Sequence, residues 1–285
     1  MVFDLHSHSH YSDGILSPEA LMSRAKACGV THLALTDHDT LDGLPSARRA
    51  ADREGVQLVP GIEFSSQWGR SGSHIVGLAL DPNSAGLKAA VARQQQARVE
   101  RARAIAERLT GLGYPGLLAQ AQAIAGPGHL GRPHFAQALV ACGAVTSVAA
   151  AFKKYLGSGK PADVKFAWPP METVIGWIQS AGGLAVLAHP RKYSLTRTKM
   201  CALIGAFAEG GGDALELISG QQPAGMAEDL ARIAKQHNLA ASCGSDFHRP
   251  GEGWQELGNF GILPQGCYPV WRMPAFAGAE MSPAQ

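Results

Sequence analysis

The first 80 residues alternate short apolar runs with amphipathic stretches. The apolar runs predict buried strands over residues 2–5, 31–36, 56–64 and 74–80. Ser17 followed by Pro18 is typical of a helix start, and a second helix is predicted from Leu44 to a stop at Gly55. This order of strands and helices predicts a parallel α/β sheet or barrel.

The middle of the chain, residues 86–168, shows helical spacing only, which predicts an all-helical insertion. The alternation then returns. Further helices are predicted over 171–181, 198–208 and 225–237, and further strands over 184–188, 214–218 and 239–243. The last residues, 271–285, are mostly small or polar, and we expect them to form a loose tail.

Composition and charge narrow the class of protein. A chain of 285 residues can bury one large core together with an inserted subdomain, and a net charge of +2 gives no strong field toward nucleic acid or membrane. The five cysteines form no CxxC pair, which favours a reducing compartment. We expect a cytoplasmic protein without signal peptide, membrane span or obligate protein partner.

Nine His, Asp and Glu residues follow the predicted strands closely. Two pairs, His6 with His8 and Asp246 with His248, have the i, i+2 spacing that points side chains the same way on extended chain. Most of the others also end strands, and His74 begins one that could start at the same rim. The full set is His6, His8, Asp13, His38, Glu63, His74, His189, Asp246 and His248.

This set of side chains predicts a metal centre. Six imidazoles and three carboxylates suit Mn²⁺, Fe²⁺ or Zn²⁺, with Mg²⁺ less favoured. Nine ligands are too many for one ion, whereas about three divalent ions would use them all. Clustered dications are typical of phosphoester hydrolysis. Hydrolysis of amides or small rings at a two-metal site is the competing chemistry.

Four segments, HSHSHYSDG, TDHDT, PGIEFS and GSDFH, together resemble the polymerase-and-histidinol-phosphatase (PHP) family. The resemblance covers residues 3–74 and 183–248. It implies a distorted (β/α)7 barrel with a trinuclear metal site at the carboxyl ends of the strands. The barrel domain would be 1–85 and 169–270, and the helical insertion 86–168 would cover the active site.

The resemblance also implies a division of ligands. One ion would be held by His6, His8, Glu63 and Asp246, and a second by Glu63 as bridge with His74 and His189. The third would be held by Asp13, His38 and His248. Many members have His where this chain has Asp13. The resemblance further implies catalytic roles for Asp13, His38, Glu63, Asp246 and His248.

The insertion contains Gly131-Arg132-Pro133-His134-Phe135, which resembles a segment of members that hydrolyse 3′,5′-bisphosphonucleotides or trim RNA 5′ ends. A guanidinium can hold a phosphate with two hydrogen bonds, His134 is a second donor, and Phe135 or Trp168 could stack on a base. The alternative is a helix start with solvated polar groups. We expect the substrate to contact Arg132, His134, Phe135, Asp13, His38 and His248.

The expected activity is removal of the 3′-phosphate from nucleoside 3′,5′-bisphosphates such as 3′,5′-bisphosphoadenosine. Rival activities are a 5′–3′ exonuclease on short RNA or DNA and a histidinol-phosphate phosphatase. A metal-binding module without turnover and a dinuclear amidohydrolase are further alternatives. Five arginines of the first insertion helix are interpreted as an exposed face: Arg93, Arg98, Arg101, Arg103 and Arg108.

Overall fold

The computed structural model describes residues 1–126, 128–164, 168–251 and 253–276. Its centre is a seven-stranded sheet in which spatial order equals sequence order. The strands are β1 (Phe3–Asp4), β2 (His32–Leu35), β3 (Gln57–Trp68), β4 (Ser71–Leu78), β5 (Leu184–Leu187), β6 (Ala214–Ser219) and β7 (Ala240–Gly244). The amide of Leu5 donates to the carbonyl of Cys243 at 3.0 Å, so the two edge strands meet. The sheet is therefore a nearly closed barrel.

The pair β3–β4 departs from the all-parallel prediction. No helix separates the two strands, and β4 runs antiparallel to both β3 and β5. The hairpin extends beyond the β2–β3 pairing, which stops at Pro60. Glu63 consequently lies within β3, whereas the sequence predicted it at the end of this strand. The reversal brings the amino-terminal part of β4, including His74, to the rim where the parallel strands end.

Helices cover the outside of the barrel. They are α1 (Pro18–Ala27) and α2 (Leu44–Glu54) on one side, and α7 (Met171–Ser180), α8 (Arg197–Glu209) and α9 (Met226–Gln236) on the other. Ser17 caps α1 by accepting from the amide of Ala20, and Gly55 ends α2 with φ +68°, both as predicted. Small and branched side chains fill the interior of the barrel, among them Leu5, Val59 and Val186.

Four helices lie between β4 and β5. They are α3 (Ala85–Gly111), α4 (Leu117–Ala125), α5 (Arg132–Ala141) and α6 (Val148–Ala151), and α6 continues into a π-helical turn over Phe152–Leu156. These helices bury a hydrophobic cluster of their own, which includes Ile105, Leu139 and Leu156. That separate core agrees with an inserted helical unit, although its bounds stay a prediction.

The carboxyl-terminal residues pack more closely than expected. Trp271 stacks on Phe3 with ring centroids 4.3 Å apart, and Phe276 is buried against the interior of the barrel. The predicted loose tail, 271–285, is thus packed at Trp271 and Phe276, because these aromatic rings contact Phe3 and the interior of the barrel. Residues 277–285 lie outside the described part. No helix in the described ranges is long and apolar enough to cross a membrane.

Candidate metal centre and substrate cavity

Two short segments beyond β1 and β7 place four of the predicted ligands side by side. The amide of Asp246 donates to the carbonyl of His6, and the amide of His8 donates to that of Phe247. Gly244 allows this close approach, because a Cβ there would lie 2.4 Å from the Cβ of His6. The two i, i+2 pairs predicted from the sequence therefore face the same point at the rim.

Asp13 is held in place by the carboxylate of Asp37. That carboxylate accepts from the amide and hydroxyl of Ser9 and from the hydroxyl of Ser12, all within 2.7 Å. Asp37 lies next to His38 in the chain, so one side chain fixes the loop that brings Asp13 to the cluster. The side chain of Asp37 thus bonds to the serines of this loop.

Glu63 lies at the centre of the cluster. Its Oε2 is 3.0 Å from Nδ1 of His38 and 3.3 Å from Nε2 of both His6 and His8. Its Oε1 is 2.8 Å from Nδ1 of His74 and 2.9 Å from Nε2 of His189. One buried carboxylate thus faces five imidazoles, and each of its two oxygens lies near a different set of them.

All nine predicted ligand residues come together in four overlapping groups of donor atoms. Within each group the atoms lie within 4.8 Å of one another. The groups are His6–His8–Asp246, His6–Glu63–His189, His38–Glu63–His74 and His8–Asp13–His38–His248. Because Glu63 belongs to two of them, it is placed to bridge neighbouring ions.

Unpaired polar atoms test whether these residues fit a metal. Six buried atoms of the cluster have no hydrogen-bond partner, although such groups are almost always satisfied in proteins. They are Nε2 of His6, Nε2 of His8, Oδ1 of Asp13, Nδ1 of His38, Oε2 of Glu63 and Nδ1 of His189. Divalent cations bind where several such nitrogen and carboxylate oxygen atoms lie close together without other partners.

The charges and pKa shifts within the cluster also favour the binding of cations. Burial alone raises the pKa of Glu63, but His38, His74 and His6 outweigh burial and hold that pKa well below its usual range. Burial also disfavours the charged form of His248 and so lowers its pKa, but the nearby carboxylate of Asp13 outweighs burial and raises that pKa to about 10. Ionised carboxylates buried this deeply are costly unless positive charge compensates them.

Glu216 is a functional residue that the sequence reasoning missed. It is a buried carboxylate within β6, and its Oε1 lies 3.0 Å from Nδ1 of His6. Its Oε2 accepts from the amide of His189 at 2.6 Å. A hydrogen-bond acceptor on Nδ1 leaves Nε2 of His6 free to bind a metal. The signal in the sequence was a lone acid inside the apolar run ALELIS.

A cavity of about 710 Å³ lies between the cluster and the helical insertion. Asp13, His38, His74 and His189 line one wall. The opposite wall carries three guanidinium groups and an indole: Arg98, Arg101, Arg132 and Trp168. The cavity thus has metal ligands on one side and fixed positive charge on the other.

Arg98 and Arg101 correct the prediction of an exposed arginine face on α3. Arg93, Arg103 and Arg108 are indeed exposed, but Arg98 and Arg101 are half-buried and face the cavity. Their guanidinium carbons lie 5.7 and 5.6 Å from the centre of the Trp168 ring. The spacing of three residues puts both on one side of the helix.

Arg101 is the least compensated of these cations. Its Nε is buried without a hydrogen-bond partner. Burial, together with the neighbouring charges of Arg132 and Arg98, lowers the pKa of Arg101 to about 9. Three like charges around one cavity with an unused donor indicate that an anion belongs there.

Asp39 joins the barrel to the insertion. It is buried and accepts from the amide of Ser65 at 2.8 Å, from Nε2 of Gln94 at 2.9 Å and from Nε of Arg98 at 2.6 Å. These contacts fix α3 above the rim and aim Arg98 at the cavity.

Three of the six residues predicted to contact substrate lie in the first turn of α5, and they have different surroundings. Arg132 lines the cavity, with its guanidinium 5.8 Å from the centre of the Phe152 ring. His134 is buried, and its Nδ1 accepts from the amide of Gly131 at 3.0 Å. Phe135 is fully buried in the helical core, so its predicted stacking on a base is wrong. Its ring packs in the hydrophobic cluster of the helices, and Trp168 is the aromatic ring with an indole that lines the cavity.

Comparison with known proteins agrees with this site. Residues 4–156 match the PHP domain family model. The chain is 43% identical over 270 residues to a 3′,5′-nucleoside bisphosphate phosphatase of Chromobacterium violaceum, covering 94% of this chain and 95% of that protein. It is 44% identical over 275 residues to the 5′-3′ exoribonuclease Rnm of Escherichia coli, covering 96% and 94%.

Solved structures of similar proteins agree with the fold. An amidohydrolase from Chromobacterium violaceum with bound sulfate and no metal superposes with a TM-score of 0.90 at 41% identity, over 98% of this chain and 97% of that one. A putative metal-dependent phosphoesterase from Bifidobacterium adolescentis gives 0.79 at 28% identity, over 94% and 92%. With the family match covering more than half of its length, the chain belongs to the PHP family and is a metal-dependent phosphoesterase.

Proposed function

We propose that the protein removes the 3′-phosphate from nucleoside 3′,5′-bisphosphates, such as 3′,5′-bisphosphoadenosine, and releases the 5′-monophosphate. The observation that carries this proposal is a single cavity with two places for anions. One is the nine-residue cluster, and the other is the wall formed by Arg98, Arg101 and Arg132. A substrate with two phosphates on one sugar satisfies both.

We propose that the cluster binds three divalent ions, with Mn²⁺ preferred for its six imidazoles. The donor atoms form four overlapping groups, two of which share Glu63, and this overlap supports a site that holds more than one ion. His74 and His189, predicted to share one ion, fall in different groups. Ions bound there would supply an activated water and neutralise the charge that develops on the phosphoryl oxygens. Asp13, His38, Glu63, Asp246 and His248 are the proposed catalytic residues.

The residues of the chain position the substrate between these walls. Arg132 and Arg101 hold the 5′-phosphate through charge-assisted hydrogen bonds, and His134 supports this wall from behind. The Trp168 ring offers a flat apolar surface to the base. Asp13 and His38 line the cavity, and His248 shares a group of donor atoms with them, so this part of the cluster faces the phosphate that is cleaved.

A 5′–3′ exonuclease on short RNA or DNA is the second candidate. The E. coli relative carries that name, and the cavity extends along the tip of the β3–β4 hairpin, where Arg70 lies. An oligonucleotide could continue past one nucleotide in that direction. A histidinol-phosphate phosphatase is less suited, because its substrate has no second anion for Arg101 and Arg132.

A substrate panel with added Mn²⁺ tests the proposal. It contains 3′,5′-bisphosphoadenosine, 5′-AMP, histidinol phosphate and a 5′-phosphorylated oligonucleotide, and the products are identified by chromatography. We expect the bisphosphate to have the highest kcat/KM and to yield 5′-AMP. Preferred release of mononucleotides from the oligonucleotide would assign the exonuclease activity. Faster release of phosphate from 5′-AMP than from the bisphosphate would overturn the proposed specificity.

A further inference from the structure

The segment after β5 forms a fixed turn over the cluster. Pro190–Tyr193 is a 3-10 helix that follows His189, and the amide of Lys192 donates to the carbonyl of His189 at 2.8 Å. The hydroxyl of Tyr193 donates to the carbonyl of Ala188 at 2.7 Å and accepts from the amide of His74 at 2.9 Å. These bonds tie the turn to two strands at once. The backbone of Lys192 is therefore held at the rim.

The Lys192 side chain reaches the cluster through Asp246. Its Nζ lies 2.5 Å from Oδ2 of Asp246, while Oδ1 of the same carboxylate lies 3.3 Å from Nε2 of His8. Gln255 adds a bond from its Nε2 to the carbonyl of Asp246 at 2.8 Å. The two carboxylate oxygens are thus divided, one toward the imidazoles and one toward the ammonium group.

Lys192 also faces the cavity. Its side chain is 41% exposed and lines the cavity together with His189 and Tyr193. An ammonium group has three N–H donors, and the contact with Asp246 uses one of them. Among the described lining residues it is the one lysine, and it lies on the cluster side, opposite Arg101. Donors are therefore left for a ligand beside the cluster.

We propose that Lys192 is a phosphate-binding residue of the cleavage site. Anchored on Oδ2 of Asp246, its ammonium group donates to a non-bridging oxygen of the phosphoryl group held at the cluster. This inference rests on the phosphoesterase activity alone and not on the proposed nucleotide substrate. A lysine acts here as a point charge that adapts to the changing phosphoryl geometry, whereas the arginine wall fixes the remote phosphate.

Inorganic phosphate is the probe for this role, because every phosphomonoester releases it. The test compares Lys192→Met with Lys192→Arg and with the matched control Arg191→Met. Arg191 is the preceding residue of the same turn, is exposed, and contacts Sδ of Met200 at 4.0 Å rather than the cluster. Each Mn²⁺-loaded protein is titrated with phosphate by calorimetry, and bound Mn²⁺ is counted by equilibrium dialysis.

We expect Lys192→Met to weaken phosphate binding about tenfold or more, as for a lost hydrogen bond to a charged group. The number of Mn²⁺ ions bound should not change, because all nine ligands remain. Lys192→Arg should keep most of the affinity, and Arg191→Met should match the parent protein. Unchanged phosphate affinity in Lys192→Met would overturn the inference. So would a loss that accompanies loss of Mn²⁺, which would make Lys192 a support for the metal site only.

Discussion

Glu216 illustrates how a residue outside the ligand set controls the cluster. It contacts the ring of His6 and the backbone of His189, which lie just after the first and fifth strands of the barrel. Its charge favours the tautomer of His6 that presents Nε2 to a cation. A buried acid of this kind costs free energy unless its partners are fixed, so its place in β6 points to a role in the site.

We expect Glu216→Gln to weaken Mn²⁺ binding about 10–100-fold, the usual cost of removing a partner behind a metal ligand. The amide keeps the shape of the side chain but loses the charge that orients His6. Titration of Mn²⁺ into the metal-free protein measures the effect, with the exposed Glu228→Gln as control. Equal Mn²⁺ affinity in the two variants would show that Glu216 only fills space.

Arg101 differs from Glu216, because its burial lowers the stability of the ligand-free protein. Its unpaired Nε and its like-charged neighbours make the ligand-free cavity unfavourable until an anion enters. Its sequence context could not reveal this. The charge pattern along α3 shows which residues are basic, and the packing of that helix on the barrel decides which of them face the cavity.

Arg101→Met should therefore raise the free energy of unfolding of the ligand-free protein, by about 1 kcal/mol. The same change should lower kcat/KM for the bisphosphate about tenfold or more, since hydrogen bonds to a phosphate are lost. An aryl phosphate without a second anion should be affected much less. The exposed Arg103→Met serves as control for both measurements. A variant that is less stable than the parent, or that loses both activities equally, would contradict this assignment.

At the level of elements, the hairpin β3–β4 and helix α3 build the cavity. The antiparallel hairpin carries Glu63 and His74 to the rim, and Asp39 fastens α3 above it. The alternation of apolar runs predicted the strands well, because it reflects burial on both faces of a covered sheet. It could not show the antiparallel course of β4, since strand direction depends on the connection and not on side-chain pattern.

Asp39→Asn tests the attachment of α3. The substitution leaves Arg98 without its carboxylate partner in a buried setting, and we expect it to lower the free energy of unfolding by about 3 kcal/mol. Asn tolerates the positive φ of +52° at this position, so backbone strain should not contribute. Chemical denaturation measures the change, with the exposed Asp52→Asn as control. Equal stability of the two variants would mean that α3 is held by apolar packing alone.

For the molecule as a whole, the barrel and the insertion contribute different residues to the site. The barrel carries the nine residues of the cluster, and the insertion carries Arg98, Arg101 and Arg132, which we propose to hold the second phosphate. Most of the proposed metal ligands were predictable because a strand end fixes both position and direction of a side chain. The substrate wall was predicted at Arg132 and Trp168 but not at Arg98 and Arg101, because a helix presents side chains in all directions and its docking depends on distant contacts such as that of Asp39.

The central claim is that this cluster is a metal centre that hydrolyses phosphoesters. The most direct test removes all metal with a chelator and then follows bound Mn²⁺ and phosphate release from 3′,5′-bisphosphoadenosine in one titration. The account predicts no release from the metal-free protein, with activity rising as Mn²⁺ binds and levelling off at about three ions per chain. Full activity in the metal-free protein, or Mn²⁺ binding that leaves phosphate release at zero, would contradict it.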